Sequence, residues 1–440
     1  MLHRLQSGYI TWLQLLRASW HTAVVSVAAQ SLAAAAIVLA SRGLGASSYG
    51  RVMAIVAFFG WFGLLSGFPT TAFLPRLMAN DRLSRQAKYC ACSSALWISL
   101  GLTLLSVGGA IAFLPVVEGR LRLVSLHTVA VAYALIFLFT QLRTALDSAS
   151  QSAGWLGRWA ASNLLATALP VCFLALFPAF FKALTPGSYV ALLAVAGALS
   201  IGASLALYFE AVGGWKALRP DPSILGQIAS AGRGPWLALL TNTMAASGVP
   251  TLIAAFLPSK ELGYFSVAVS LYLWISGAGM AVTVPAMWDW ARLAAAHDLQ
   301  AVKKDLRRRQ RATGIVMTSA ALVMFVGAGP IVRTLYGQDF APAVPMVRLV
   351  ALNVVMTGFG SWYWHMFLAL GQSGRVAVPN IASNIPSLGL AYVFLRFTNW
   401  GATGAILAGV IGGAFWIGAY ELELRAALRQ EKRRAGVMPH

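Results

Sequence analysis

The sequence predicts an all-α polytopic membrane protein, with about twelve transmembrane helices in two six-helix bundles around a central cavity. Three observations lead there. Of 440 residues, 58% are hydrophobic and only 10% are charged, whereas a soluble domain carries about 25% charged residues. Apolar runs of about 20 residues, each able to cross a hydrocarbon core ~30 Å thick, recur from end to end. The runs fall into two similar sets on either side of a polar stretch near 210–233, which carries Pro220, Pro222 and Gly226. Lipid offers the backbone no hydrogen bonds, so each run must be a helix.

Charge breaks place the spans in order. Span 1 (21–41) stops at Arg42, span 2 (52–74) lies between Arg51 and Arg76, and span 3 (89–113) between Lys88 and Glu118. Span 4 (124–146) runs from Arg122 to Asp147, span 5 (159–179) from Arg158 to Lys182, and span 6 (188–209) ends at Glu210. Span 7 (235–257) follows Arg233, span 8 (264–288) lies between Glu261 and Asp289, and span 9 (313–332) between Arg311 and Arg333. Spans 10 (346–370), 11 (377–397) and 12 (402–424) are separated by Arg375 and by Arg396, and the last stops at Arg425. The division gives an N-terminal bundle over 1–215 and a C-terminal bundle with a basic tail over 216–440. Pro69, Pro170, Pro250, Pro285 and Pro386 fall in or near spans, where neighbouring helices re-satisfy the freed carbonyls, and so mark kinks rather than breaks.

Orientation follows from the basic residues. Nine of the 33 Lys and Arg (Arg42, Arg51, Arg120, Arg122, Lys182, Lys260, Arg333, Arg348, Arg396) fall on one side and the other 24 on the opposite side. The positive-inside rule makes the richer side cytoplasmic, together with both termini. The net charge of +20 is spread over many inner loops and the tail, so it reads as topology and contact with anionic membrane lipids, with no nucleic acid as partner. Its densest run, Lys303 to Arg311, is expected to form a helix lying along the inner surface. Cys90, Cys92 and Cys172 have no zinc spacing and read as buried inert thiols. The six histidines show no metal-ligand spacing either. His365, in Trp362-Tyr363-Trp364-His365, suits an aromatic packing cluster, or a polar cavity wall.

What the chain lacks bounds its chemistry. It has no phosphate-binding Gly-x-x-x-x-Gly-Lys-Ser/Thr loop, and the predicted outer loops hold only Glu118, Glu261 and Asp339 as acids. Catalysis is therefore not expected, and no catalytic residue, metal or cofactor is assigned. None of the 13 acids falls near a predicted span centre, where proton or sodium coupling and cationic-drug binding usually place one. Asn163, Thr241, Asn242, Asn353, Asn380 and Asn384 do lie within spans; each can bond a polar cargo or a neighbouring helix. Gly409 and Gly413, four residues apart, suit close helix packing.

Three loop segments carry a family resemblance. Arg42-Gly43-Leu44-Gly45-Ala46-Ser47-Ser48-Tyr49-Gly50, directly after span 1, resembles the R-x-L-G-x-x-x-Y-G signature of Wzx-type flippases. Those proteins move lipid-linked oligosaccharides in bacterial polysaccharide export and belong to the superfamily that also holds the MATE drug antiporters. Ser259-Lys260-Glu261-Leu262-Gly263-Tyr264-Phe265-Ser266-Val267-Ala268 resembles the family's E-x-G-x-Y-S-x-A stretch. Leu335-Tyr336-Gly337-Gln338-Asp339-Phe340, followed by Ala343-Val344-Pro345, is similar to its L-F-G-x-x-[YF] loop. Sliding the chain by 215 residues lays Tyr49 on Tyr264. One departure stands out: family members often end span 7 with an Asp-Arg pair, and Gly248-Val249-Pro250-Thr251-Leu252 has neither charge.

The resemblance implies flipping of a polyprenyl-diphosphate-linked oligosaccharide across the bacterial cytoplasmic membrane by alternating access, alongside other polysaccharide assembly proteins. A MATE-like cation-coupled exporter of small molecules is the alternative, and a membrane enzyme of glycan assembly a more distant one. The motif residues Arg42, Gly43, Gly45, Tyr49 and Gly50 read as a tight outer turn with an interfacial tyrosine. For the diphosphate, the best candidate is Arg233. Pro235 suits a first helical turn, so span 7 is expected to begin beside the arginine with its free N–H groups toward a phosphate. Arg76 and Arg143 are further candidates for the same cationic mouth, although Arg143 can pair with Asp147 one turn on. Asn242 is the candidate for sugar hydroxyls.

Overall fold

A computed structural model describes residues 2–66, 84–121, 123–152, 155–180, 183–212, 220, 222–280, 286, 290, 293, 299–370 and 372–434. The described residues form twelve α-helices and no strand. They are α1 (Leu2–Ser66), α2 (Arg85–Val117), α3 (His127–Ser152), α4 (Leu156–Phe180), α5 (Pro186–Val212) and α6 (Pro222–Phe256), followed by α7 (Ser259–Met280), α8 (Leu299–Val326), α9 (Ala328–Tyr336), α10 (Val344–Ala369), α11 (Ala377–Phe397) and α12 (Gly401–Arg434). Nine helices among them are long and apolar enough to cross a membrane, or ten if the bent pair α8–α9 counts as one span. The chain is a multi-pass membrane protein of the expected class.

The first predicted turn is sharper than a loop. Helix α1 runs through the predicted span 1 and the described part of span 2, to Ser66, with a single break at Gly45, whose φ of 70° and ψ of 166° only glycine adopts without strain. Span 9 is not straight: α8 and α9 meet at Gly327 with a 75° bend. Pro330, in the first turn of α9, cannot donate to the carbonyl of Val326, so the helical ladder fails there. Pro170, Pro250 and Pro386 lie inside α4, α6 and α11 without ending them.

Two further expectations need correction. Lys303 to Arg311 do not form a separate surface helix; they are the first turns of α8 itself. Val302, Leu306 and Gln310, one turn apart, bury a stripe of that helix, and so it packs against α10 instead of lying along a surface. Cys92 is buried as expected, but Cys90 is half-buried and Cys172 exposed.

Packing shows how small residues bring helices together. Gly409 and Gly413 of α12 face Asn353 of α10, and Gly412 faces Ser383 and Ser387 of α11. Both serines donate across the gap, Ser383 Oγ to the Gly412 carbonyl at 2.7 Å and Ser387 Oγ to that of Ala408 at 3.1 Å. Asn380 donates to the Val376 carbonyl and to Tyr420 Oη, 2.7 and 3.3 Å away, so it serves helix packing. A second core, at the end where α12 runs on past its span, gathers Trp290, Trp362, Tyr363, Phe367 and Tyr420. His365 belongs to the same stretch, its Nδ1 3.2 Å from the Ser361 carbonyl.

The orientation drawn from the basic residues gives the first prediction. Reporter fusions after residues 45, 118, 184, 260 and 340 will report the outer compartment, and fusions near 82, 150, 220, 300 and 430 the cytoplasm. Two reversed sites within either half would overturn the twelve-span arrangement.

Candidate functional site: a neutral polar cavity beneath a sealed end

The three motif loops, far apart in sequence, converge. Phe340 is buried, with Tyr49, Tyr264 and Tyr336 around it at ring-centroid distances of 6.4, 6.2 and 6.1 Å. Beside this cluster α1 and α7 press backbone to backbone. A Cβ on Gly50 would lie 1.8 Å from the Ser259 carbonyl oxygen, and one on Gly263 would lie 2.3 Å from that of Ala46. The contact is reciprocal, each helix offering a glycine to a backbone carbonyl of the other. Ser47 and Ser259 join their hydroxyls across it at 3.0 Å. Gly43 meets Leu184 and Arg42 is exposed, so the motif residues serve packing at one end of the bundle.

Further along α1 a cavity of ≈ 470 Å³ opens. Its wall comes from Gly60, Gly63 and Ser66 of α1, Ser99 of α2, Phe137, Gln141, Thr144 and Ala145 of α3, and Leu239, Asn242, Thr243, Ala246 and Ser247 of α6. None of these lining residues is ionisable. Its hydrogen-bonding groups are neutral hydroxyls and amides, and its volume lies in the range of about 300–1,000 Å³ usual for small-molecule sites. The small residues let the helices approach: a Cβ on Gly60 would lie 2.2 Å from Ser247 Oγ. Trp61 Nε1 donates to Thr251 Oγ1 at 3.0 Å and Trp236 Nε1 to the Leu64 carbonyl at 3.2 Å, which ties α1 to α6 beside the cavity. Gly248, where the family's charged pair is missing, packs against Leu388 and Trp61.

Of the candidate residues, Asn242 lines the cavity. Asn384 Nδ2 of α11 donates to its Oδ1 at 2.7 Å, which leaves the Asn242 amide N–H groups for the cavity. Arg143 is elsewhere: Nε lies 4.0 Å from Asp147 Oδ2, and Ser162 Oγ donates to Asp147 Oδ1 at 3.1 Å. Its Nη1 is buried without a hydrogen-bond partner. Arg233 calls for a correction. Helix α6 begins at Pro222 and passes through both Arg233 and Pro235, so the arginine sits a full eleven residues inside the helix with no free N–H groups around it. Proline costs a membrane helix little when neighbouring groups re-satisfy the lost bond, and the helix does not restart there. Arg233 precedes Asn242 by nine residues on the same helix, about 14 Å at 1.5 Å per residue. Arg76 lies outside the described residues.

Sequence reasoning missed most of the cavity wall. The available signal was a stripe of small and polar residues at helical spacing: Asn242, Thr243, Ala246 and Ser247 on α6, and Gln141, Thr144 and Ala145 on α3.

No family model and no curated protein matches the chain. Its fold, however, is similar to several solved structures. An inward-facing multidrug resistance MATE family transporter of the MOP superfamily superimposes with a TM-score of 0.72 at 15% identity, over 93% of this chain and 99% of that one. An outward-facing structure, likewise of a MATE family transporter, gives 0.63 at 19% identity, over 95% and 96%. A MOP superfamily transporter from Pyrococcus furiosus, whose binding pocket is described as of reverse polarity, gives 0.63 at 17% identity, over 95% and 98%. At these identities the likeness establishes the fold.

Proposed function

We propose that this protein flips a lipid-linked oligosaccharide across the bacterial cytoplasmic membrane by alternating access between two halves, residues 1–215 and 216–440. The observation that carries the reading is the uncharged cavity wall. A cation-coupled drug exporter needs a carboxylate where its cargo binds, because a cationic drug leaves water only against an opposite charge. Here the described wall presents Ser66, Ser99, Gln141, Thr144, Asn242, Thr243 and Ser247, a set suited to the hydroxyls of a sugar. The reciprocal glycine contact supports a state closed at the predicted outer end.

A polyprenyl tail can remain in the bilayer while the sugar head crosses, but the diphosphate needs cations on its way. Arg233 on α6, on the cytoplasmic side of the cavity in the predicted orientation, supplies one through its side chain, whose planar fork suits a phosphate oxygen pair. Arg143 and Arg76 are the further candidates. On this reading Arg233→Ala loses most export and Arg233→Lys part of it, at unchanged protein level in the membrane. Wild-type export from normally expressed Arg233→Ala would remove the residue from the site.

The deciding experiment is deletion of the gene followed by analysis of lipid-linked intermediates. The exported polysaccharide will be lost and its lipid-linked precursor will accumulate on the cytoplasmic face. The exporter reading, favoured by the multidrug transporters of like fold, predicts instead normal polymer and altered resistance to cationic drugs.

A further inference from the structure

A groove of ≈ 560 Å³ runs along the outside of the bundle between α11 and α12, away from the cavity. Its floor is made of small residues, Ala382, Ala414, Gly418 and Ala419, and Phe415 and Leu422 rise beside them, 54% and 66% exposed. Glu421 and Arg425 stand at one end. We propose that this groove holds one acyl chain of an anionic glycerophospholipid, whose phosphate is bound by Arg425 with Arg429 one turn further on.

Length is the first argument. From Ala414 to Arg425 the helix rises about 16 Å at 1.5 Å per residue, and one leaflet of a ~30 Å core is ~15 Å deep. The floor therefore spans one leaflet and brings the arginine to headgroup level, where the positive-inside pattern puts the start of the cytoplasmic tail.

Charge is the second. Glu421 and Glu423 lie on the turns of α12 just before Arg425, and each is held by a cation from another element. Glu421 Oε2 accepts from Arg307 Nη2 of α8 and from Tyr363 Oη of α10, the latter at 2.9 Å. Glu423 accepts from Arg375 Nη1 at 2.6 Å. Arg425 gives only its Nε to Glu421 Oε1, at 3.3 Å. Its side chain is 64% exposed, and its two terminal nitrogens have no partner among the described residues. Arg429 is exposed as well. The groove thus ends in Arg425, which shares Glu421 with Arg307 and keeps both terminal nitrogens free for a ligand, and in the exposed Arg429 one turn on, an arrangement that favours an anionic headgroup over a zwitterionic one.

The proposal stands whatever cargo the cavity carries, and its test measures binding alone. Purified full-length protein is stripped of lipid and offered phosphatidylglycerol and phosphatidylcholine with identical chains at equal concentration, and bound lipid is counted by native mass spectrometry. Wild type is expected to prefer phosphatidylglycerol, by about fivefold for each arginine engaged. Arg425→Ala combined with Arg429→Ala should erase the preference and keep chain binding. Gly418→Leu should lose both lipids; a Cβ at Gly418 meets nothing within 4 Å, and an unchanged melting temperature separates a filled groove from a disturbed fold. Equal retention of the two lipids by wild type overturns the proposal. So does an unchanged preference in the double arginine variant, or unchanged retention in Gly418→Leu. Displacement of phosphatidylglycerol by an equal concentration of polyprenyl phosphate would assign the groove to the cargo's tail and overturn the occupant named here.

Discussion

Gly50→Ala and Gly263→Ala will each lower the thermal stability of the purified protein and, on the function proposed above, abolish most export. At Gly50 a methyl group would sit 1.8 Å from a backbone carbonyl oxygen and at Gly263 2.3 Å from another. No side-chain rotation relieves either clash, so α1 and α7 must part by more than an ångström. Overpacking of this kind costs about 1–3 kcal/mol or more, and the displaced helices take with them the hydroxyl contact of Ser47 with Ser259. The control is Gly101→Ala on α2, where a Cβ meets nothing within 4 Å; helix propensity alone would favour that change by up to ~1 kcal/mol. Aggregation temperature in detergent reads all three. A Gly50→Ala protein as stable as wild type would show that the sealed end is not held by this contact.

Glu421→Ala will be the most damaging single change among the paired charges. The carboxylate takes three donors at once, Arg307, Tyr363 and Arg425, and so links α8, α10 and α12. Hydrogen bonds to charged groups contribute about 1.5–3 kcal/mol each, but Arg307 is 38% exposed and Arg425 more so, and solvent screening discounts both. A net loss of about 2–3 kcal/mol follows. Glu421→Gln keeps an acceptor for Arg307 and should recover part of the loss. In a double-mutant cycle, Arg307→Leu should cost much less in the Glu421→Ala background than alone, because the two act as a unit. Additive effects would show that the pair contributes nothing of its own.

Asn242 and Asn384 show why polar residues within spans were hard to assign. Both were visible as hydrogen-bonding groups where lipid could not satisfy them, and each had a cargo and a partner helix as possible readings. In the structure one does both jobs: Asn242 takes its carbonyl's bond from Asn384 and still faces the cavity. Asn380, with the same sequence signature, is consumed by packing. The difference lies in which face of the helix meets which neighbour, and spacing along one chain does not contain it.

By itself the sequence determined the class, most helix limits and the turn at Gly45. These depend on local quantities: apolar length against bilayer thickness, charge at span ends, and a backbone conformation open to glycine alone. The bend at Gly327 was equally local, since Pro330 withholds a donor, yet uninterrupted hydropathy across 313–332 concealed it. Only the tertiary structure decided that Tyr49, Tyr264 and Tyr336 surround one phenylalanine, that α6 continues past Pro235, and that the first turns of α8 pack inward instead of lying along a surface. Each of those outcomes rests on contacts between residues tens to hundreds of positions apart. Hydropathy sets where a helix crosses the bilayer, and the fit of small and large side chains between helices sets what it touches there.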